Sequence, residues 1–223
     1  MAPAAVTGLA AEAAIARAAG LHTVVGGGDA ARTAAAVERV LGDGATALIS
    51  FGICGGLDPA LASGTLLLPR VARDEAGVVY DVDPIWRGRL ERDLRGAGIV
   101  ASTSAILGAS GIAVSPADKA ALFRQHGAAA VDLESHIVAA AARRRGVPFI
   151  VLRAIADDAA RAVPPAALVG LGETGRPAYR AVLRSIARRP AQVPGLLRLA
   201  LDTRRALTAL RRAVSVLARA GVA

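Results

Sequence analysis

The segment from Ala129 to Asp158 most constrains the fold of this chain. A short apolar stretch ends in Asp132 and Glu134, a helical pattern follows, and a second apolar stretch ends in Asp157 and Asp158. This order predicts a strand, a helix and a strand, with acidic residues where both strands end. Ligands of open α/β sheets bind beyond the carboxyl ends of the strands, which makes these four acids candidate site residues. The alternative is that they are helix N-caps and loop residues.

The same alternation of apolar strands and helices runs through the rest of the chain. It predicts a parallel or mixed sheet that is covered by helices on both faces. The length of 223 residues fits one such domain. We place this domain at residues 1–190 and assign residues 191–223 to a helical tail, because Pro190 and Pro194 separate the tail from the preceding helix.

The positive charge of the chain is concentrated in its last quarter. Residues 1–175 contain 16 Lys or Arg and 17 Asp or Glu, whereas residues 176–223 contain 11 Arg and a single acid, Asp202. Nucleic acid is a poor match for this basic region, because Tyr179 is its only aromatic residue and stacking platforms are absent. An anionic membrane surface suits the composition better.

The basic tail also has the pattern of an amphipathic helix. Its apolar positions recur at three- and four-residue steps, at Leu196, Leu199, Thr203, Leu207, Leu210, Val214 and Leu217. The arginines fall between these positions, as they do in helices that lie in a membrane interface. The alternative is that the leucine face packs against the domain or against a second subunit.

A glycine-rich loop near the start of the chain is a candidate phosphate neighbour. Gly26, Gly28 and Ala31 fit the pattern G-x-G-x-x-A before a helix, whose N-terminal amides can bind phosphate. The next strand ends in Ser50-Phe51-Gly52 and lacks the acid that binds ribose in dinucleotide-binding proteins. We therefore expect Gly28 and Arg32 near a ribose or phosphate, and no NAD site.

The cysteine and histidine content argues against a disulfide framework, a cysteine nucleophile and a metal site. Cys54 is the only cysteine, which excludes an intramolecular disulfide and fits a reducing compartment. We expect Cys54 to be a packed side chain, and three scattered histidines offer no metal site. The start of the chain lacks the features of a secretory signal, and no stretch predicts a membrane-spanning helix. These features predict a cytoplasmic protein.

Three loops together resemble a known family. GICGGL at residues 52–57, VDLES at 131–135 and RAIADD at 153–158 are similar, in order and spacing, to motifs of the nucleoside phosphorylase and methylthioadenosine/S-adenosylhomocysteine nucleosidase superfamily. The resemblance covers residues 4 to about 160. It implies a single three-layer αβα domain with a central mixed sheet, to which the helical tail is added.

The resemblance also implies roles for individual residues. Asp157 matches the acid that donates a proton to N7 of the departing purine, and Glu134 matches the carboxylate that holds the ribose hydroxyls. Leu133 lies at the position of a methionine that packs on the sugar. Glu12 aligns, with a one-residue shift, with the carboxylate that activates water. Its place in the first turn of a helix also allows a purely structural role.

Further residues of the same motifs are expected to bind substrate. Gly55 and Gly56 allow close approach of the ligand to the backbone. Asp132 and His136 belong to the motif around Glu134, and we expect Asp132 to support it. No cofactor or metal is implied, and phosphate is an optional co-substrate.

The identity of the acceptor stays open. Phosphorylases of the superfamily usually place an arginine and a serine around the glycine-rich strand end, where this chain has Ser50, Phe51 and Ile53. Hydrolysis is therefore conceivable. Phosphorolysis would depend on other cations, such as Arg32, Arg70 or Arg73.

A closer resemblance concerns the substrate. VDLESHIVAAAA, VSPADKAAL and VPPAALVGLGETGRP, followed by the arginine-rich tail, resemble the hopanoid-biosynthesis-associated phosphorylases. This implies release of adenine from adenosylhopane, with a ribosyl or phosphoribosyl hopane as the second product. It further implies a homo-oligomer with peripheral association with the inner membrane surface. The alternatives are a soluble 5′-substituted adenosine such as methylthioadenosine or S-adenosylhomocysteine, and a non-catalytic nucleoside- or lipid-binding protein.

Overall fold

The computed structural model describes residues 2–168 and 179–219. Ten strands lie at Pro3–Thr7 (β1), His22–Val25 (β2), Ala47–Gly56 (β3), Leu66–Leu67 (β4), Val71–Asp74 (β5), Val79–Asp81 (β6), Ala101–Ser102 (β7), Ile106–Gly108 (β8), Ala130–Asp132 (β9) and Phe149–Asp157 (β10). Eight α-helices lie at Ala10–Ala18 (α1), Ala30–Gly42 (α2), Pro84–Gly96 (α3), Pro116–His126 (α4), Ser135–Arg145 (α5), Pro165–Leu168 (α6), Tyr179–Arg188 (α7) and Val193–Arg219 (α8).

The strands form one mixed sheet, as predicted. Along its main path the order is β6, β5, β8, β9, β3, β10, β4 and β7, and β1 joins β2 to β3. The pairs β1–β3 and β3–β10 are parallel, whereas β3–β9 and β10–β4 are antiparallel. Helices α1, α3 and α8 contact one another or the strands on one face, and α2 and α5 pack together on the other. The molecule therefore has three layers.

Local sequence signals set the helix ends. Asp29 caps α2 by accepting a hydrogen bond from the Arg32 backbone N–H at 2.8 Å. Ser115 and Asp118 form a reciprocal capping box at α4, with Pro116 in the first turn. Gly146 ends α5 in the left-handed conformation, at φ 64°. These ends fix where each helix leaves the sheet edge and therefore where the connecting loops lie.

The predicted tail divides into two parts. In the second half of α8, Leu210, Val214 and Leu217 are buried in the main hydrophobic core, and the helix packs against β10 and α3. Nearer the start of the helix, Leu196, Leu199, Thr203 and Leu207 line a shallow surface groove, and Leu207 also contacts the core. The second half of the tail therefore packs on the domain, which is one of the alternatives that the sequence left open. The assignment of residues 191–223 to a separate segment stays a prediction.

No helix in the described ranges is long and apolar enough to cross a bilayer.

Candidate active site

A cavity of about 450 Å³ opens where β1, β3, β9 and β10 end. Eight of the ten predicted site residues line it: Glu12, Gly28, Arg32, Gly55, Asp132, Leu133, Glu134 and Asp157. The parallel pairing of β1, β3 and β10 brings their carboxyl ends to one edge, which explains why residues distant in sequence meet there.

Arg153 holds the carboxylates of the cavity together. It lies inside β10 with 1% of its surface exposed. Its Nη2 donates to Glu134 Oε2 at 3.0 Å and to Ser50 Oγ at 2.8 Å, and its Nε lies 2.8 Å from Asp132 Oδ2. Burial alone would lower the pKa of Arg153, but the neighbouring carboxylates raise it, so the guanidinium stays charged. Two acids and one arginine therefore form a fixed buried cluster.

Asp132 supports this cluster and the start of α5. Its Oδ1 accepts a hydrogen bond from the Ser135 backbone N–H at 3.0 Å, and its Oδ2 accepts one from the Ser135 hydroxyl. Asp132 thus pairs with Arg153 and also binds the first residue of α5, although the N-cap residue of this helix is Glu134.

Glu134 is the carboxyl group of this cluster whose acidity is altered by burial. Burial raises its pKa to about 7, Arg153 opposes that rise, and Asp132 and Glu12 add to it. Its Oε1 lies against Gly8, where an added Cβ would be 2.5 Å away. Gly8 is therefore required for the carboxyl group to occupy this position.

Glu12 combines a structural contact with a place in the cavity. Its Oε2 accepts hydrogen bonds from the backbone N–H groups of Gly8 and Leu9 at 2.9 and 2.8 Å. Its Oε1 accepts one from Ile53 N–H at 2.8 Å. Burial raises the pKa of Glu12, and Arg153 and the three N–H donors oppose this rise. A carboxylate has about four acceptor positions, so one remains for a ligand or water.

Asp157 is the acid on the β10 side of the cavity. Burial raises its pKa, and its ion pair with the Lys119 ammonium group counteracts that effect. Its side chain is 15% exposed, which leaves it accessible from the cavity. The neighbouring Asp158 instead binds Arg161, with Nε to Oδ2 at 2.9 Å.

The two remaining predicted residues lie outside the cavity lining. Gly56 packs against Ile155 and the backbone of Asp158, where an added Cβ would lie 3.1 Å from Ile155 Cγ2. His136 packs against Gly108 on β8. That both bind substrate stays a prediction, which this cavity does not support. Gly56 lets the strand pass close to β10, and His136 faces the sheet because of its place on α5.

Only one of the three arginines proposed to bind phosphate lies at the cavity. Arg32 lines the cavity, although its side chain lies 3.9 Å from Asp29 Oδ1 and donates to Gly26 O at 3.4 Å. Arg73 donates to the His126 carbonyl at 2.6 Å, away from the lining. Arg70 is likewise not part of the lining. Of the three candidates, Arg32 alone is placed to meet a ligand.

Cys54 is buried, and burial raises the pKa of its thiol well above its usual value. This environment disfavours the thiolate and agrees with a packed side chain. Within residues 2–168 and 179–219, no cluster of three or more His, Cys, Asp or Glu residues has the arrangement of a metal site.

Sequence reasoning missed two charged residues, Arg153 and Lys119. Arg153 opens the RAIADD motif, and an arginine inside an apolar strand indicates a buried acidic partner. Lys119 is the only lysine among 27 basic residues. Both signals are visible in the sequence, but neither one identifies its partner.

Comparison with known proteins agrees with this geometry. The family model described as "Phosphorylase superfamily" matches residues 18–188, while the curated proteins contain no significant match. Among solved structures, the methylthioadenosine/S-adenosylhomocysteine nucleosidase of Neisseria meningitidis in complex with methylthio-immucillin-A superposes with a TM-score of 0.73 at 15% identity, covering 99% of this chain and 100% of that one.

Two proteins from Helicobacter pylori have the same fold. Native futalosine hydrolase gives a TM-score of 0.69 at 14% identity, covering 95% of this chain and 96% of that one. A methylthioadenosine/S-adenosylhomocysteine nucleosidase gives 0.65 at 17% identity, covering 71% and 85%. These likenesses confirm the predicted three-layer fold with its mixed sheet, and the family match confirms the prediction of a nucleoside phosphorylase or nucleosidase enzyme. The chain belongs to the Phosphorylase superfamily.

Proposed function

We propose that this protein cleaves the N-glycosidic bond of an adenosine derivative. The observation that carries the proposal is a single cavity lined by Glu12, Glu134 and Asp157, three acids whose pKa values are all raised. A volume of about 450 Å³ is in the usual range for a small-molecule site. Acids with shifted pKa values that share a cavity are typical of acid–base catalysis.

The reaction needs a proton donor beside the purine. As the bond between C1′ of the ribose and the purine nitrogen breaks, its electron pair moves to the purine, which becomes basic. Protonated Asp157 donates its proton to N7 of the purine and becomes a carboxylate. Neutral adenine then leaves. Burial raises the pKa of Asp157, which favours the protonated form that a general acid requires.

The sugar side needs negative charge and a nucleophile. The departing base leaves positive charge on the ribose, which Glu134 stabilises while it holds the hydroxyl groups. Its contact with Arg153 fixes the carboxyl group before substrate binds. Glu12 takes a proton from the attacking water through its remaining acceptor position. With phosphate as co-substrate, Arg32 would be the cation beside it.

The specific substrate that we propose is adenosylhopane, whose 5′ carbon carries a large apolar group. Support comes from the resemblance of the motifs and from the apolar side chains in the cavity lining, among them Leu9, Ile53, Ile112, Val131, Leu133 and Leu168. The products would be adenine and ribosyl hopane with water, or adenine and phosphoribosyl hopane with phosphate. No separate cofactor takes part in either reaction.

A lipid-borne substrate would require access to a membrane, and we propose that α7 and the first half of α8 supply it. Leu183, Leu197 and Leu201 are exposed by 66%, 63% and 57%. The same segments carry exposed arginines, among them Arg184, Arg188, Arg189, Arg198, Arg204 and Arg211. Each arginine near an anionic surface contributes about 1 kcal/mol of attraction. The protein would then be cytoplasmic and peripheral to the inner membrane.

The decisive experiment is incubation of the purified protein with adenosylhopane in mixed micelles, with and without phosphate, and identification of both products. We expect adenine release by the wild type and a rate loss of about 10²- to 10⁴-fold in Asp157→Asn. Retention of the fold is checked by circular dichroism. Absence of adenine under both conditions contradicts the proposed substrate, and release by Asp157→Asn at the wild-type rate contradicts the role of Asp157.

Membrane binding is tested separately by sedimentation with vesicles of anionic phosphatidylglycerol or of neutral phosphatidylcholine. We expect binding to the anionic vesicles and weaker binding by the double variant Leu197→Ser, Leu201→Ser. Val100→Ser, at a residue that is 82% exposed elsewhere, is the matched control. Equal binding by all three proteins contradicts the assignment of this surface.

A second candidate is a soluble 5′-substituted adenosine such as methylthioadenosine or S-adenosylhomocysteine. The fold shared with two nucleosidases of that name favours it. Higher kcat/KM on methylthioadenosine than on adenosylhopane would select this candidate. A non-catalytic binding protein would release no adenine from either compound. Self-association remains a prediction, for which sedimentation velocity is the direct measurement.

A further inference from the structure

Lys119 occupies an unusual environment for a lysine. It is 0% exposed and is the one buried residue of α4, a helix of eleven residues that otherwise lies on the surface. Lysine is almost never fully buried unless it is paired, because desolvation of the ammonium group is costly. The neighbours of Lys119 therefore have to compensate for its burial.

Three acceptors surround the ammonium group. Nζ donates to Asp157 Oδ2, to the Asp158 carbonyl at 2.8 Å and to the Arg161 carbonyl at 3.0 Å. An ammonium group has three donors, so all of them are used. The two carbonyls belong to the loop that follows β10. A single side chain thus joins α4 to the proposed acid and to the loop behind it.

The choice of lysine matches this geometry. The chain uses arginine at 26 of its 27 basic positions and lysine at this one. Guanidinium is a flat fork with five donors, whereas ammonium is a compact charge that can meet three converging acceptors. Asp157 Oδ1 accepts no hydrogen bond from the described residues, which leaves it free for a ligand.

We propose that Lys119 is a positioning residue for Asp157, whose carboxyl group it holds in place and whose carboxylate it stabilises once the proton has moved to the purine. This role rests on the proposed function, because it assumes that Asp157 is the acid. The O–H bond of the Asp157 carboxyl group breaks as the N–H bond at N7 of the purine forms. The negative charge that remains on Asp157 then faces the ammonium group.

Several other charged or titratable groups act on Asp157. Asp158 beside it and Asp202 on α8 disfavour its ionisation, and Cys54 on β3 lies close enough to interact with it. Arg161 binds both Asp158 and Asp202, at 2.9 Å in each case, and so offsets their charges. Lys119 is the group that favours the carboxylate, so its removal should make Asp157 a weaker acid.

The test is a titration of the Asp157 carboxyl carbon by ¹³C NMR in protein labelled at aspartate, with the signal assigned from Asp157→Asn. We expect the midpoint to move upward by about one unit or more in Lys119→Gln and in Lys119→Met, because a nearby opposite charge typically shifts an acid by that amount. Two variants are used so that either one that folds gives the answer. Arg87→Met, which removes a nearly buried cation paired with Glu91 on α3, should leave the midpoint unchanged.

Activity gives a second measurement that a structural role would not affect. We expect the alkaline limb of kcat/KM for adenine release to move to higher pH in Lys119→Gln, with a lower kcat and little change in KM. An unchanged NMR midpoint and an unchanged alkaline limb in a folded variant overturn the proposal. If the proposed function is wrong, the wild type releases no adenine. The NMR midpoint still decides in that case whether Lys119 sets the acidity of Asp157.

Discussion

Two glutamates of this protein bind arginine side chains, yet their pKa values are shifted in opposite directions. At the surface, Glu38 binds Arg144, with Nη2 to Oε1 at 3.1 Å, and also binds Arg145, and these contacts lower its pKa. In the cavity, Glu134 lies 3.0 Å from Arg153, yet burial raises its pKa to about 7.

The difference shows that solvent access decides the outcome. Water solvates the Glu38 carboxylate, so the arginines only add to a charge that is already stable. Glu134 has lost that solvation, and one arginine shared with Asp132 does not replace it. The same pair of residue types is thus a surface ion pair at one location and a proton-binding site at the other.

The largest effect should follow from removal of the buried arginine. Arg153→Met leaves Asp132 and Glu134 without their common partner, and we expect a loss of about 3–5 kcal/mol in the free energy of unfolding, together with loss of adenine release. Urea denaturation at pH 7 and pH 5 measures it. The loss should be smaller at pH 5, where the abandoned carboxyl groups bind protons. An equal loss at both pH values would show that charge is not the cause.

A smaller effect should follow from crowding of Glu134. In Gly8→Ala the new methyl group lies 2.5 Å from Oε1, so the carboxyl group must move. We expect a loss of about 1–3 kcal/mol in stability and a clear fall in kcat/KM. Gly42→Ala, at a site with no atom within 4 Å, is the control and should be nearly neutral. Full activity in Gly8→Ala would show that Glu134 need not occupy its present position.

The buried glutamate should also make stability depend on pH. The pKa of Glu134 rises from 4.5 in the unfolded chain to about 7 in the folded one, so the folded state binds more protons between these values. Stability therefore falls as pH increases from 4.5 to 7, by about 1.4 kcal/mol per unit of pKa difference at most. Denaturation midpoints across this range should show a flatter profile for Glu134→Gln than for the wild type. Identical profiles would remove Glu134 as the cause.

The smallest effect belongs to the exposed pair. Arg145→Met removes one contact of Glu38, whose side chain is 38% exposed. Surface ion pairs contribute about 0–1 kcal/mol, so the substitution should change the free energy of unfolding by no more than that amount. In 1 M salt, which screens the ion pair, we expect the change to disappear. A loss comparable to that of Arg153→Met would contradict the distinction between the two clusters.

The sequence predicted the acids of the cavity more reliably than their partners. Asp132, Glu134 and Asp157 follow apolar strands, and strand ends meet at one sheet edge, so local pattern suffices to bring them together. Arg153 and Lys119 form their ion pairs across 19 to 38 residues, and no local period encodes such a pairing.

The tail shows a second limit of sequence reasoning. Leu199 and Leu210 occupy equivalent positions in one periodic pattern, yet Leu210 is buried in the core and Leu199 lines an open groove. Periodicity reports that a helix has an apolar face. It does not report where the domain beneath that face ends. The boundary between the two halves depends on the extent of the sheet, which no residue of the tail specifies.

The division of α8 has a practical consequence for engineering this protein. Because one half of the helix is fixed in the core, truncation before Val193 would remove a helix from one face of the sheet. In the first half only the exposed positions can be redesigned, because Asp202 is buried there and binds Ser63 and Arg161. These exposed positions lie on a helix that is anchored in the core at its other end. Other surface chemistries could be grafted onto it, so that the same catalytic domain is addressed to a different interface without any change to its interior.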